Sequence, residues 1–288
     1  MKKLLVAIDM TAGSRRALGR AARFAAARGA SLRILHAVPS RAFDKGGPDV
    51  RRFIQDAVRL AIDELPAPRP AFSLRITSRD PRQAILEEAR KVGADMIVLG
   101  AHGEPRLRDA IFGTTATHVV RHSERPVLVV QTDDAIPYAK VMLALDGPEQ
   151  VKPLLDLTGK LAPGAKLIGV HAFDPPLGRI FAGREALERE ADRREAEIGK
   201  AMAEATADAK DVPINSQAIV DGGGPLTVLM DEAKALRPDL VVMGTSQRAY
   251  LNSYAVDAVF WCEQDLLVVP EREGAESGPS SFSGAVFA

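Results

Sequence analysis

The sequence predicts an α/β protein built from two tandem copies of one doubly wound domain. Each copy is a mostly parallel, open twisted sheet of five strands with helices on both faces. Three observations predict this. Short apolar runs rich in β-branched residues alternate with stretches of helical periodicity, as in a parallel sheet buried on both sides. The alternation starts again near Lys140. The chain has 288 residues, of which 46% are apolar, enough for two domains of ordinary size.

Leu4 to Ile8 is a continuous apolar run and reads as a buried strand that Asp9 ends. Thr11 or Ser14 can cap the following helix, whose core side is Ala17, Leu18, Ala21, Phe24 and Ala25. Gly29 terminates it. Leu32 to Val38 is the second strand, and Pro39 opens a long loop through Gly46-Gly47-Pro48. A second helix follows, with Val50, Phe53, Ile54, Ala57, Leu60 and Ala61 on one face. Pro66 to Pro70 breaks the chain. Phe72, Leu74 and Ile76 alternate with polar residues, as in a strand. Pro81 opens a third helix with Ile85, Leu86 and Ala89 inward. Met96 to Gly100 is the fourth strand, a helical run ends at His122, and Pro126 to Val130 is the fifth strand.

The second half repeats this order. Lys140-Val-Met-Leu-Ala-Leu-Asp146 echoes Lys3 to Asp9, and Leu167 to Ala172 echoes Leu32 to Ala37. Gly224-Pro225 echoes Asp80-Pro81, Pro238 to Gly244 echoes Ala94 to Gly100, and Asp265 to Val269 echoes Pro126 to Val130. Gly222-Gly-Gly224 reads as a turn before a helix. The domains are taken as 1–132 and 139–270, joined by a polar linker, 133–138, with Asp133-Asp134 and Pro137. The helix from about Arg184 to Lys210 carries an apolar stripe of Leu187, Ala191, Ile198 and Met202, and its charges form a solvated face. Residues 271–288 are rich in Gly, Ser and Glu and are expected to be disordered. The last strand of each half, Val127–Val130 and Leu266–Val269, would be an exposed apolar edge if left alone. The halves are therefore expected to pack as an intramolecular pseudo-dimer, with these strands paired or covered together. A homodimer of the whole chain is compatible with the sequence.

Composition excludes several classes. Lys and Arg number 38 against 38 Asp and Glu, so no charge excess marks a nucleic-acid or membrane surface. The single cysteine, Cys262, rules out an intramolecular disulfide and a Cys-rich metal site. The apolar run of Met1 to Asp9 is too short for a signal peptide, and no segment approaches a membrane span. The expectation is a soluble cytoplasmic protein.

Chemistry concentrates between Met96 and Val130. A buried strand ends at Gly100, glycines recur at Gly103 and Gly113, and Thr114 or Thr115 can cap a helix whose positive end faces the loop. Such an arrangement attracts phosphate. The pattern Gly100-x-x-Gly103-x9-Gly113-Thr114, with the helix and the Pro126-Val-Leu-Val-Val130 strand after it, resembles the nucleotide motif of the ATP-binding universal stress proteins. The resemblance covers both halves to Pro270. It implies a Rossmann-like strand order of 3-2-1-4-5 in each half. Ligands would then sit in the crevice between the ends of the first and fourth strands. It further implies that Asp9 and Val38 lie near the ribose and adenine. Gly103, Gly113, Thr114 and Thr115 would hold phosphates, with Arg106 as an extra phosphate contact. Leu99, Gly100 and His102 complete the implied contact set. The implied ligand is ATP, with or without Mg²⁺.

Other readings compete at single residues. Asp9 serves equally well as a helix cap or turn residue. His36 and His171 hold the same repeat position and read as packed, hydrogen-bonded residues. His118 and His122 have the spacing of a metal pair but no nearby carboxylate or cysteine, which favours a solvated helix face. The second half departs from the motif: Gln247 stands where a glycine is wanted, and Asn252-Ser253 replaces the last glycine and threonine. Asp146 remains, but the cradle does not, so this half reads as degenerate for ATP. No nucleophile with an adjacent base and no Walker lysine is present, so the chain is at most a slow ATPase. The reading is an ATP-binding stress-response or signalling protein that acts on an unknown protein partner, its C-terminal half structural or regulatory. Alternatives are an adenine-nucleotide hydrolase of a related class and a nucleotide-independent scaffold.

Overall fold

The apolar runs read above as strands form strands in the computed structural model, which describes residues 1–37, 40–64, 68–101, 114–132, 137–173, 184–207, 217–222, 224–245 and 251–270. The first half runs β1 (Lys3–Ile8), α1 (Ala12–Arg28), β2 (Ser31–Ala37), α2 (Ser40–Asp63), β3 (Phe72–Thr77), α3 (Pro81–Val92), β4 (Met96–Gly100), α4 (Thr114–His122) and β5 (Val127–Val130). The second half runs β6 (Lys140–Leu145), a 3₁₀ turn (Pro148–Gln150), α5 (Val151–Leu161), β7 (Lys166–Phe173), α6 (Arg184–Ala207) and β8 (Gln217–Gly222). It continues with α7 (Pro225–Leu236), β9 (Leu240–Thr245), α8 (Leu251–Trp261) and β10 (Asp265–Pro270). No helix among the described residues is long and apolar enough to cross a membrane.

Within each half the strand order is the expected 3-2-1-4-5. The expectation of two separate sheets is corrected. All ten strands form one sheet, β3-β2-β1-β4-β5-β10-β9-β6-β7-β8. The junction is the only antiparallel pairing among the described strands, with Leu266, Leu267 and Val268 opposite Val129, Leu128 and Val127. Both terminal strands are buried on both faces, so pairing them satisfies backbone groups that no water could reach. The halves thus form the intramolecular pseudo-dimer.

Helices α1, α2, α5 and α6 cover one face of the sheet, and α3, α4, α7 and α8 cover the other. Each face has one apolar cluster that runs across the junction. Leu128, Val130 and Leu267 lie in one cluster, and Val127, Val129, Leu266 and Val268 in the other. The repeat extends to polar detail. Asp95 accepts from the amides of Lys2 and Lys3 at the start of β1, and Asp239 accepts from those of Ala139 and Lys140 at the start of β6. Lys3 and Lys140 each donate Nζ to the end of a neighbouring helix, at Val92 and Leu236.

Helix α2 corrects the sequence reading twice. The expected loop up to Pro48 is helical from Ser40, with Pro48 inside the helix. Proline removes one backbone bond but its φ suits a helix, and the stripe Ile54, Val58, Ile62 is buried against the sheet. Phe53 and Leu60, expected on the core face, are 68% and 62% exposed. The true stripe is displaced by one residue from the predicted centre.

The junction contains a buried polar node. Asp265, at the start of β10, is 0% exposed. Its Oδ1 accepts from the amides of Gln131 and Thr132 at 2.9 and 3.0 Å and from Thr132 Oγ1 at 3.0 Å. Its Oδ2 accepts from Tyr138 OH at 2.6 Å and faces Arg20 Nη2 of α1 at 3.1 Å. Tyr138, read from sequence as the last linker residue, is buried, and the Arg20 guanidinium lies 4.8 Å from its ring centroid. Burial, and then the Asp265 charge, push the Tyr138 phenol well above its ordinary value. The node ties α1 of the first half to β10 of the second.

Candidate functional site

The crevice arises where the pairing between β1 and β4 stops. The two strands are in register from Leu4↔Met96 to Val6↔Val98. Beyond that, Ala7 and Ile8 pair only with β2, and Leu99 and Gly100 only with β5. The carboxyl ends of β1 and β4 therefore lead apart, at the point where the chain's strand order reverses.

Asp9 stands at the mouth and is exposed. Its Oδ1 accepts from Thr11 N at 3.0 Å and Thr11 Oγ1 at 2.5 Å. Thr11, not Asp9, is the N-cap of α1, accepting from Ser14 N. Between them Met10 takes φ 68°, a left-handed conformation that a methionine adopts only under constraint. Asp9 is thus a turn residue, and both bonds fall on one oxygen.

Gly100 has a structural role the sequence reading did not see. A Cβ there would stand 2.6 Å from Gly13 C, 2.7 Å from Gly13 O and 2.9 Å from Ser14 N. The backbone of the first turn of α1 occupies that space, so the glycine serves helix–strand packing first. We expect Gly100→Ala to lower stability by about 1–3 kcal/mol, because backbone rather than a movable side chain must give way. Gly147→Ala is the control. The atoms nearest its Cβ would be those of the exposed Glu149 carboxylate, which can swing aside, so the change should stay within about 0.5 kcal/mol. Urea unfolding of both variants checks this; equal losses would refute it.

Leu99 is 4% exposed, with its side chain in the apolar cluster on the α4 face. Thr114 begins α4, and Thr115, half-buried, lies in its first turn. Val38, His102, Gly103, Arg106 and Gly113 lie outside the described residues, as do Gln247, linker residues 133–136 and the tail 271–288. The structure therefore brings Asp9, Leu99, Gly100 and the start of α4 to one end of the sheet.

His36 and His171 are packed and hydrogen-bonded as read. Each donates Nδ1–H to the carbonyl that ends the neighbouring strand, Ile8 O at 2.7 Å and Leu145 O at 2.9 Å. Burial holds the His171 ring below the ordinary histidine value, so it is neutral at pH 7. The rings of His118 and His122 stack at 4.2 Å, and His122 Nδ1 donates to His118 O. Among the described residues no group of three potential metal ligands converges.

The second-half crevice is different. Pairing between β6 and β9 continues one step further, to Ala144↔Met243. Gln150 occupies the mouth: its Oε1 accepts from Asp146 N at 3.1 Å, and a Cβ on Gly244 would stand 3.3 Å from its Nε2. With Asp146 aligned on Asp9, Gln150 stands where the first half has Gly13. A side chain fills a place that is backbone alone in the first half. Asn252 and Ser253 fall in the first turn of α8. The sequence signal for Gln150 was present as a glycine-to-glutamine difference, but its meaning required the distance to Gly244.

The fold and site define a fused pair of doubly wound α/β domains with a switch-point crevice between the ends of β1 and β4 in the first half. The sequence profile of the Universal stress protein family matches residues 1–131 and 137–261, and the chain belongs to that family. A universal stress protein of Mycobacterium tuberculosis is 27% identical over 222 residues, covering 73% of this chain and 71% of the relative. A universal stress protein A homolog of Coxiella burnetii is 28% identical over 138 residues, covering 45% of this chain and 95% of its own length. Among solved structures, a universal stress protein from Archaeoglobus fulgidus aligns over 93% of this chain and 98% of its own, with TM-score 0.63 and 15% identity. One from Pseudomonas aeruginosa, a putative universal stress protein, aligns over 94% and 93%, with TM-score 0.61 and 20% identity. These two share the fold across both halves.

Proposed function

We propose that the protein is an ATP-binding stress-response or signalling protein that holds one nucleotide, in its N-terminal half. The observation that carries this reading is the contrast between the two crevices. In the first half the ends of β1 and β4 part and lead to the start of α4. In the second half they are paired further and Gln150 stands in the mouth. The first half also carries the full Gly100-x-x-Gly103-x9-Gly113-Thr114 pattern.

In this reading Asp9 and Val38 meet the ribose and adenine, and the Asp9 oxygen not used by Thr11 is the one that faces ligand. Gly103, Gly113, Thr114 and Thr115 hold the phosphates through amides, hydroxyls and the helix end, with Arg106 adding charge. Leu99, Gly100 and His102 line the approach. Mg²⁺, where present, shares the phosphates rather than occupying a protein cage, since Glu104 and Asp109 are the only two carboxylates of the intervening loop and make no acidic cluster in sequence. The C-terminal half is the structural or regulatory partner: α8 packs directly on α4, the helix that would carry the phosphates.

Titration calorimetry with ATP tests the reading. One site per chain is expected. Two sites would refute the assignment to the first half alone, and no binding would refute ATP as the ligand.

A further inference from the structure

Helix α2 buries one face and carries apolar side chains on the opposite one. Val50, Ile54, Val58, Ala61 and Ile62 pack into the core. Phe53 and Leu60 face away from it, 68% and 62% exposed, and are the most exposed large apolar side chains among the described residues. They stand two helical turns apart, about 10 Å along the axis, with the half-buried Ala57 between them. A single exposed apolar residue is ordinary, whereas a stripe along one helix face marks a contact surface.

The neighbouring charges say what covers that stripe. Arg52, Asp56, Arg59 and Asp63 recur at i, i+4, i+7 and i+11 and form one exposed column beside Phe53 and Leu60. The signs along the column alternate, plus, minus, plus, minus. In an antiparallel pair about a two-fold axis, the column faces its own copy run in reverse, which is minus, plus, minus, plus. An axis that crosses α2 near Ala57 sets Phe53 beside Leu60 of the second copy. The same axis brings Arg52 near Asp63 of the second copy and Asp56 near its Arg59, with axial offsets of no more than about 3 Å. Symmetry repeats each contact on the other side of the axis. Asp63 faces Arg69 of its own chain at 3.3 Å, and a carboxylate accepts on both oxygens, so that pair and the new one coexist. The exposed Asp49 and Glu64, at the ends of the stripe, come near each other across the axis, and this like-charge contact is set against the ion pairs of Arg52 and Arg59.

We propose that the outer face of α2 is a homodimer contact, packed antiparallel on the same face of a second copy of this chain. A second copy matches the alternating column by symmetry; a different protein would need a complementary column of its own. One helix pair is a small contact, of the class below roughly 1,200 Å² that assembles transiently, so the dimer is weak and salt-sensitive.

The test is sedimentation velocity on the full chain from about 5 to about 500 μM, the range in which a transient contact titrates. The wild type should pass from monomer to dimer, and raising salt from about 50 to about 500 mM should move that transition several-fold higher in concentration. Phe53→Ser with Leu60→Ser should weaken the dimer by more than about tenfold. Its unfolding curve should stay that of the wild type, since both side chains are exposed. Two charge variants test the register. Arg52→Glu with Arg59→Glu makes the column wholly acidic, and Asp56→Lys with Asp63→Lys makes it wholly basic. Each alone should stay monomeric, because like charges meet across the axis, and an equimolar mixture should form a heterodimer. A wild type that is monomeric at every concentration overturns the proposal and leaves the face to a partner of other chemistry. A dimer that survives Phe53→Ser with Leu60→Ser, or a mixture no more associated than its parts, overturns this face of α2 as the contact. None of these outcomes depends on nucleotide.

Discussion

Asp265→Ala is expected to lower the stability of the whole chain by about 3–5 kcal/mol, the range for breaking a buried ion pair by removing one partner. The carboxylate is fully buried and accepts two backbone amides, the Thr132 hydroxyl and the Tyr138 phenol, besides facing the Arg20 guanidinium. Arg20 is itself 5% exposed. Removing the carboxylate takes an ion-pair partner from the buried Arg20 and leaves two amides without their acceptor. The loss should appear as a lower denaturant midpoint with little change of slope. A second variant separates charge burial from lost packing. Arg20→Met combined with Asp265→Leu removes both members of the buried ion pair and should be less destabilised than Asp265→Ala, because apolar side chains take the place of both charges. A loss below about 1 kcal/mol for Asp265→Ala would show that the node contributes little to joining the halves.

Gly113→Val should weaken ATP binding by several kcal/mol, the sum of backbone strain and lost phosphate hydrogen bonds. The proposal places Gly113 immediately before the helix end that meets the phosphates. A valine there would intrude on them or forbid a positive φ, and its branched Cβ is the least tolerant of both. Asn252→Val, at the corresponding place in the second half, should leave ATP affinity nearly unchanged. Calorimetry on both variants, with unfolding curves to confirm that each is folded, decides the matter. Undiminished affinity in Gly113→Val would remove the phosphate-cradle reading of the Met96–Val130 stretch.

Several elements were legible because their signal is local. The strands β1, β4 and β6 are apolar runs that punctuation ends, and the caps Thr11 and Gly29 and the first-turn Pro81 stand where the helices begin or end. The register of α2 was less legible. Phe53, Ile54, Ala57, Leu60 and Ala61 spread apolar character over a wide arc of the helix. Only the neighbouring strands decide that Ile54, Val58 and Ile62 form its centre. Gly100 was rightly marked as requiring glycine, but for ligand approach; the close neighbour is the backbone of Gly13.

By itself the sequence determined the alternation of strands and helices, the repeat, the order of secondary elements and the motif of the first half. Periodicity and punctuation are properties of some ten to twenty consecutive residues, and the chain carries them openly. Tertiary structure alone decided that the two sheets are one, that Asp265 is a buried anchor where its repeat counterpart is Pro126, and that Gln150 stands in the second crevice. Each of these depends on what lies opposite a residue more than a hundred positions away or across a strand end. An exposed edge shows only that it needs a partner. Which strand supplies it, and which side chain fills a crevice, is set by packing between segments that no local pattern connects.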